Sequence, residues 1–253
     1  MLIPPPRASL IWIVAAMSWI QGQALAACND PPGPGVIWIQ CDKRNLDLSR
    51  VDLRGAILTR TDFTNTVMRK AKLSGADLSF SILDKADLTG ARLDKTLFMR
   101  ASLGSAKLSK AYLVGAKFDR ARMPGVVLDG ARLDEATFYQ ADLTGASLRG
   151  IRAPASSFSQ ARLDEADFSG STMPQAELTR ASLEDASLTG ANLNEADFTG
   201  ASLLFADLSE ADLTGAVLVD ANLDEANLEG AKLGKAQWVD RRRCRSGSLG
   251  ECR

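Results

Sequence analysis

ASLTG-ANLNE-ADFTG-ASLLF-ADLSE-ADLTG-AVLVD, residues 186–220, shows the pattern that decides the fold. From Leu48 to Trp238 every fifth residue is apolar without a break, and 27 of these 39 central positions are Leu. The residue two places before the central one is Ala in 29 of the 39 units. A period of five fits neither an α-helix, which repeats at three and four, nor a simple strand, which repeats at two. Such a short internal repeat predicts a solenoid.

Each five-residue unit is predicted to form one short extended side followed by a corner, so four units close a square coil of 20 residues. The central residue and the small residue before it then point inward, and the other three face solvent. Gly stands two places after the central residue 13 times. A type II turn needs a positive φ at that place, which Gly adopts without strain. The pattern therefore predicts a narrow rod with a well-filled core.

A 20-residue coil also predicts that central residues spaced by 20 stack on one wall. One such column contains five of the seven central Phe residues and a Trp at each end. Its aromatic members are Trp38, Phe98, Phe118, Phe138, Phe158, Phe198 and Trp238. Rings at the spacing of neighbouring strands, about 4.8 Å, make offset contacts. This column is interpreted as core and not as a ligand groove.

Units such as Ala141–Gly145 and Ala211–Gly215, both ADLTG, resemble those of the pentapeptide-repeat family. The resemblance covers residues 46–238, and the cysteine pair near each end is similar to that of exported bacterial members. It implies an all-β fold, a right-handed quadrilateral β-helix of about ten coils. Several members of that family are similar to a DNA rod in shape and charge and bind topoisomerases, whereas most have no known activity.

Residues 1–26 are predicted to be a signal peptide. Arg7 precedes the apolar run LIWIVAAMSWI at 10–20, which is too short to span a bilayer as a mature helix. Ala24-Leu25-Ala26 fits a cleavage site, with the mature chain starting near Ala27. The predicted location is therefore periplasmic or secreted. A retained anchor and a lipoprotein acylated at Cys28, after the motif Leu25-Ala26-Ala27, are the alternatives.

The chain outside the leader is divided into an N-terminal linker and cap at 27–45, the repeat region at 46–240 and a C-terminal cap at 241–253. A solenoid exposes core and strand edge at both ends, so each end needs a cover. Four cysteines allow three pairings. Because the two ends lie ten coils apart, proximity favours Cys28–Cys41 and Cys244–Cys252. With no His in the chain, a metal site is the weaker interpretation of these cysteines.

Composition favours a protein that is not an enzyme. The chain lacks His, the commonest general base, and it lacks a phosphate-binding glycine loop and a nucleophile elbow. Its many carboxylates are predicted to lie on convex walls, where no pocket excludes water. No cofactor and no small-molecule substrate are expected.

Charge is distributed unevenly along the rod. Residues 42–140 carry 18 Lys and Arg against 12 Asp and Glu, whereas residues 141–240 carry 6 against 17. One outward file of the N-terminal half forms a predicted basic wall of residues 20 apart: Lys72, Arg92, Tyr112, Arg132 and Arg152. An acidic polysaccharide, a lipid phosphate, an envelope surface or released nucleic acid would each fit this wall. The simpler interpretation is a solvated face, and another protein is a further candidate partner.

The acidic half allows a different hypothesis, a DNA-mimicking protein that binds topoisomerases. Asp167, Asp197, Asp207 and Asp212 would then form the mimicking surface. A solvated face that keeps the rod soluble is the favoured interpretation of these four acids. The predicted export signal also separates the two hypotheses, because topoisomerases are cytoplasmic. The residues leave the oligomeric state open.

Overall fold

A computed structural model describes residues 28–253. The predicted signal peptide and its cleavage site at Ala26 and Ala27 lie outside the described residues. Within 28–253 there is no α-helix, and no strand is longer than a single bridge residue. Every five-residue unit instead repeats one bridge residue just before the central position and two turn residues just after it. The described part of the chain contains no helix with the length and apolar character needed to cross a membrane.

Parallel bridges connect each outward residue to the residue 20 places later. They define four walls, which we number by their outward files. Wall 1 runs from Ile37 to Gln237, wall 2 from Asp42 to Asn222, wall 3 from Asp47 to Asn227 and wall 4 from Asp52 to Lys232. The ten steps from Ile37 to Gln237 correspond to the predicted number of coils. The ladder begins at Ile37, so coil geometry extends into the segment assigned to the N-terminal linker and cap.

The core consists of the central residues and the small residues two places before them, nearly all of them fully buried. In the aromatic column, the ring centroids of Phe98, Phe118, Phe138 and Phe158 are separated by 4.6, 4.9 and 4.7 Å in succession, and the rings are nearly parallel. Phe198 and Trp38 are buried in the same column, while Trp238 is only partly buried. The ring spacing equals the distance between hydrogen-bonded strands, so the backbone ladder sets the stacking distance.

The corners are hydrogen-bonded turns with a positive φ at their third residue. At one of them the Ala56 amide donates to the Leu53 carbonyl over 3.1 Å, and Gly55 has φ +64°. The same conformation recurs at 27 corners that carry a non-glycine residue, including Phe80 at +60° and Glu165 at +59°. A left-handed conformation costs an L-residue roughly 1–2 kcal/mol. Backbone hydrogen bonds to the next coil offset that cost. The Phe80 amide, for example, donates to the Met99 carbonyl at 2.9 Å.

Outward Asp and Asn residues complete the backbone hydrogen bonding at the corners. The amide of the first turn residue has no partner in the next coil, and the side chain two places earlier accepts from it in many units. Asp87 Oδ1 accepts from the Thr89 amide at 3.0 Å, and Asp197 Oδ1 accepts from the Thr199 amide at 2.8 Å. Such Asx bonds are the short-range device by which Asp and Asn favour turns. The Ala-Asp-Leu units therefore carry their acids for a structural reason.

A disulfide closes each cover. At the N-terminus Cys28–Cys41 ties the preceding segment to the first coil. Lys43 occupies a central position there, and its ammonium lies 3.8 Å from the centroid of the Trp38 ring and donates to the Cys28 carbonyl. Burial lowers the pKa of Lys43, and the nearby charge of Asp30 only partly opposes that shift.

At the C-terminus the segment closed by Cys244–Cys252 turns back along the last coil. It forms antiparallel bridges from Leu249 to Lys232 on wall 4 and from Arg243 to Gln237 on wall 1. Walls 2 and 3 receive no such bridge in the described chain, and their last central residues, Leu223 and Leu228, are only partly buried. The cap therefore closes two of the four edges.

Candidate anion-binding site

Wall 4 holds the five residues of the predicted basic wall in one file. Bridges join Lys72 to Arg92, Arg92 to Tyr112, Tyr112 to Arg132 and Arg132 to Arg152. Neighbours in the file are therefore separated by one coil, about 4.8 Å. The Tyr112 side chain is 44% exposed, and it lies between the arginines of the coils before and after it.

The N-terminal half of this wall forms a groove at the corner between walls 3 and 4. Its volume is about 580 Å³, and it is lined by Lys70, Lys72, Thr89, Gly90, Arg92, Lys110 and Tyr112. We call these residues the basic groove. Gly90 carries no side chain where the corner residues of the adjacent coils, Lys70 and Lys110, carry long ones. A Cβ built on Gly90 would lie 3.6 Å from Lys70 Cγ, so the missing side chain opens the groove.

The cations of the basic groove have no carboxylate within 4.0 Å among residues 28–253. This holds for Lys70, Lys72, Arg92 and Lys110. Four positive charges line one concave surface beside an exposed phenol ring. The groove is therefore suited to an anionic ligand that also presents a flat face.

The C-terminal half of the basic wall is different, because its arginines share a carboxylate within the protein. Asp134 lies between Arg132 and Arg152, with Nε–Oδ distances of 3.7 and 3.0 Å. At the neighbouring corner, Arg149 Nη2 lies 2.8 Å from Asp129 Oδ2. The hydrogen bond that Arg149 donates to Asp129, together with the negative charge of that carboxylate, raises the pKa of Arg149. The sequence pattern placed five residues in one continuous site. In the structure only three of them, Lys72, Arg92 and Tyr112, line the basic groove, whose cations have no ion-pair partner in the described chain.

The four acids considered for the mimicking surface are used in corner hydrogen bonds. Each accepts the amide two residues later along the chain, at 2.8–3.1 Å: Asp167 from Ser169, Asp197 from Thr199, Asp207 from Ser209 and Asp212 from Thr214. Burial would raise the pKa of Asp207 and Asp212, but these hydrogen bonds outweigh it and hold both pKa values below the usual range. Their presence follows from the corner geometry without any partner.

Acids and cysteines are the candidate metal ligands among the described residues. Residues 28–253 contain no group of three or more Cys, Asp or Glu residues placed to hold a metal ion. All four cysteines are in disulfides, so the described chain offers no thiol nucleophile.

A family model described as pentapeptide repeats matches eight copies in the chain. The matched residues are 47–83, 81–120, 111–150, 176–215 and 201–236, more than half of the sequence. A search of the curated proteins found no match.

Solved structures similar to the chain are pentapeptide-repeat proteins. HetL of the cyanobacterium Nostoc sp., described as involved in heterocyst differentiation regulation, is 28% identical, with 79% of this chain and 92% of HetL covered and a TM-score of 0.47. A trypsin-treated form of QnrB1, described as a plasmid-mediated fluoroquinolone resistance protein, is 20% identical, with 81% and 92% covered and a TM-score of 0.45. A protein of the Arabidopsis thaliana thylakoid lumen is 26% identical, with 56% and 68% covered and a TM-score of 0.17.

Proposed function

The chain belongs to the pentapeptide-repeat family, and from that premise we propose that it is an exported, non-enzymatic module that docks an anionic polymer in the basic groove. Its fold is the right-handed quadrilateral β-helix of that family, whose members are generally structural or interaction modules. A rod of this kind displays outward side chains at a fixed spacing. Function then resides in the chemistry of its outward files and corners.

The observation that carries this proposal is the set of unneutralised cations in the groove. Like charges on adjacent coils repel one another, which is unfavourable for stability alone. Several arginines elsewhere on the rod meet a carboxylate at the neighbouring coil or corner, as Arg69 does with Asp87 at 2.6 Å. The groove keeps Lys70, Lys72, Arg92 and Lys110 without such a partner in the described chain. An external anion would relieve that repulsion.

An acidic polysaccharide fits this groove best. The cations extend along the rod axis over successive coils, so they match a linear polymer with charges every few ångströms. Tyr112 supplies an exposed aromatic face beside them, on which a sugar ring can stack. The lining of the groove combines that ring with aliphatic lysine stems, which is suited to an amphipathic ligand.

Export supports the same choice of partner. The N-terminal sequence has the order of charge, apolar run and small residues that a secretory signal has. Two disulfides in a chain of four cysteines are typical of an oxidising compartment. We propose that the mature protein starts near Ala27 and meets acidic polymers of the cell envelope or of the surroundings.

Replacing the groove cations is expected to weaken binding by about a hundredfold. Each Lys or Arg close to an anionic surface contributes about 1 kcal/mol, and the variant Lys72→Ser, Arg92→Ser, Lys110→Ser removes three of the four. The measurement is a titration of purified oxidised protein with heparin, with anionic vesicles and with single-stranded DNA. Heparin is expected to bind most tightly of the three, and its affinity should fall as salt rises.

Two further variants make this test specific. Lys85→Ser, Lys95→Ser, Lys235→Ser removes the same charge from other corners and is expected to change heparin affinity less than about threefold, because these residues lie outside the groove. Arg132→Ser, Arg152→Ser is expected to do the same, since both arginines are already paired with Asp134. Losses that follow only the number of cations removed, three, three and two, would mean that the overall charge attracts heparin, and the groove would not be the site.

A further inference from the structure

A second basic surface lies at the corner between walls 1 and 2, away from the groove. Successive coils place Arg60, Phe80, Arg100 and Arg120 at the same turn position, 20 residues apart. All four are exposed, and all four have φ between +55° and +60°. Their side chains therefore leave the backbone with the same geometry. We call this file the basic strip.

The basic strip has an aromatic residue held between two guanidinium groups. The Phe80 ring centroid lies 5.7 Å from Arg60 Cζ and 5.8 Å from Arg100 Cζ. The ring thus orders both guanidinium groups by cation–π contact. Neither arginine has an ion-pair or hydrogen-bond partner for its side chain within residues 28–253, and Arg120 Nε donates only to Gln140 Oε1, at 3.1 Å. Their donors are available for carboxylates.

The corner between walls 2 and 3 carries the opposite charge in the other half of the rod. There Glu165, Asp185, Phe205 and Glu225 follow one another at the same turn position, again 20 residues apart. Their φ angles lie between +55° and +59°, and Phe205 is 52% exposed. None of the three carboxylates has a side-chain partner in the described part of the chain. We call this file the acidic strip.

We propose that the partner of the basic strip is the acidic strip of a second copy of this chain. The two files have the same rise per residue, because both follow the coil spacing of the same β-helix. With the two rods antiparallel, one register gives three ion pairs: Arg60 with Glu225, Arg100 with Asp185, and Arg120 with Glu165. The same register brings Phe80 against Phe205. In the parallel orientation, aligning the two Phe residues sets Arg100 against Glu225 and Arg60 against Asp185, and Arg120 is left without a partner.

Residues next to the strips accept this register. Beyond Arg120, the file of the basic strip continues with Gln140 and Gln160. In the antiparallel copy, Gly145 would face Gln140 and Gly125 would face Gln160, so no bulky side chains meet. At the first turn position, Asp119 would face Asp164. Both already accept a backbone amide of the next coil through Oδ1, Asp119 from Tyr139 and Asp164 from Glu184, each at 3.2 Å. That use reduces their repulsion.

This contact cannot close into a dimer. The two strips lie on different corners of the same rod, so a copy that uses its basic strip keeps its acidic strip free for another copy. A heterologous contact that does not close adds subunits without a fixed limit. The structure therefore leads to an open-ended lateral array of alternating rods. A small contact rich in exposed charge also makes the array sensitive to salt.

The test is sedimentation velocity of the purified oxidised protein over a range of concentrations. At about 200 µM protein and 20 mM salt, the weight-average mass is expected to rise at least about twofold without a dimer plateau. At about 500 mM salt it should return to that of the monomer. The variants Arg60→Glu, Arg100→Glu, Arg120→Glu and Glu165→Arg, Asp185→Arg, Glu225→Arg should each remain monomeric alone.

Mixing the two charge-reversed variants decides between partners. Each keeps one native strip, so the mixture pairs native acidic with native basic strips, and reversed strips with each other. Association is expected to return in the mixture to within about threefold of the original protein. Lys95→Glu, Lys235→Glu, at equivalent positions on the corner between walls 4 and 1, should associate normally. A chain that stays monomeric at low salt, or a mixture that does not associate, would overturn the proposal; the first result would leave an acidic protein of another kind as the partner.

Discussion

Phe118→Ala is expected to lower the free energy of unfolding by about 3–5 kcal/mol. Phe118 is fully buried, and its ring lies between those of Phe98 and Phe138 at 4.6 and 4.9 Å. The substitution removes two ring contacts and leaves a cavity that the rigid ladder cannot collapse, because its coil spacing is set by backbone hydrogen bonds.

Urea unfolding followed by circular dichroism measures this loss, and Lys117→Ala provides the control. Lys117 directly precedes Phe118 on wall 1, and its side chain faces solvent. Its replacement should therefore change stability by no more than about 0.5 kcal/mol. Fluorescence of Trp38 and Trp238, one at each end of the rod, would show whether both ends unfold together. A loss below about 1 kcal/mol for Phe118→Ala would mean that the aromatic column does not form a packed core.

Removal of the N-terminal disulfide is expected to produce the next largest loss, about 3 kcal/mol for the pair Cys28→Ser, Cys41→Ser. The bridge spans 13 residues and holds the cover over the first coil. Without it, the contacts of Lys43 with Trp38 and the bond from Trp38 Nε1 to the Asp30 carbonyl lose their anchor. Trp38 should then become exposed well before the rest of the rod unfolds.

Quenching of tryptophan fluorescence by iodide, in increasing urea, measures that exposure. The pair Cys244→Ser, Cys252→Ser is the matched control. It removes the disulfide that closes a loop of 8 residues at the other end, so it should expose Trp238 and not Trp38. If Trp38 stayed protected up to the main transition without its disulfide, the N-terminal cover would be held by other contacts.

The period of five was sufficient to predict the coil, the inward residues and the aromatic column, because each follows directly from which residues recur every 5 and every 20 places. The sequence did not show why Asp precedes so many central residues. That role depends on which amide each coil leaves without a partner, as at Thr89 beside Asp87, and this is visible only once the hydrogen bonds are traced. Many of these surface acids accept hydrogen bonds from the backbone amides of the corner turns.

The sequence placed the residues of the basic wall in one file, but it did not show which of their charges are paired. The file from Lys72 to Arg152 could be read at 20-residue spacing, but Asp134 lies on the adjacent corner, and its reach to both Arg132 and Arg152 depends on side-chain conformation. The basic and acidic strips follow the same 20-residue spacing at corner positions, but the sequence alone does not show which corner side chains project into solvent. Positive φ at Phe80 and Phe205 shows that these corners present large side chains to solvent.

The N-terminus and compartment of the mature protein test most directly the central claim that this rod is an exported docking module. The measurement is N-terminal sequencing and intact mass of the protein recovered from cell fractions. The account predicts a chain starting near Ala27 in the periplasmic or secreted fraction, without an acyl group on Cys28 and without a free thiol. An intact Met1 in the cytosol would contradict it and favour a topoisomerase-binding role. A lipidated Cys28 would instead rule out the Cys28–Cys41 disulfide and anchor the rod to a membrane.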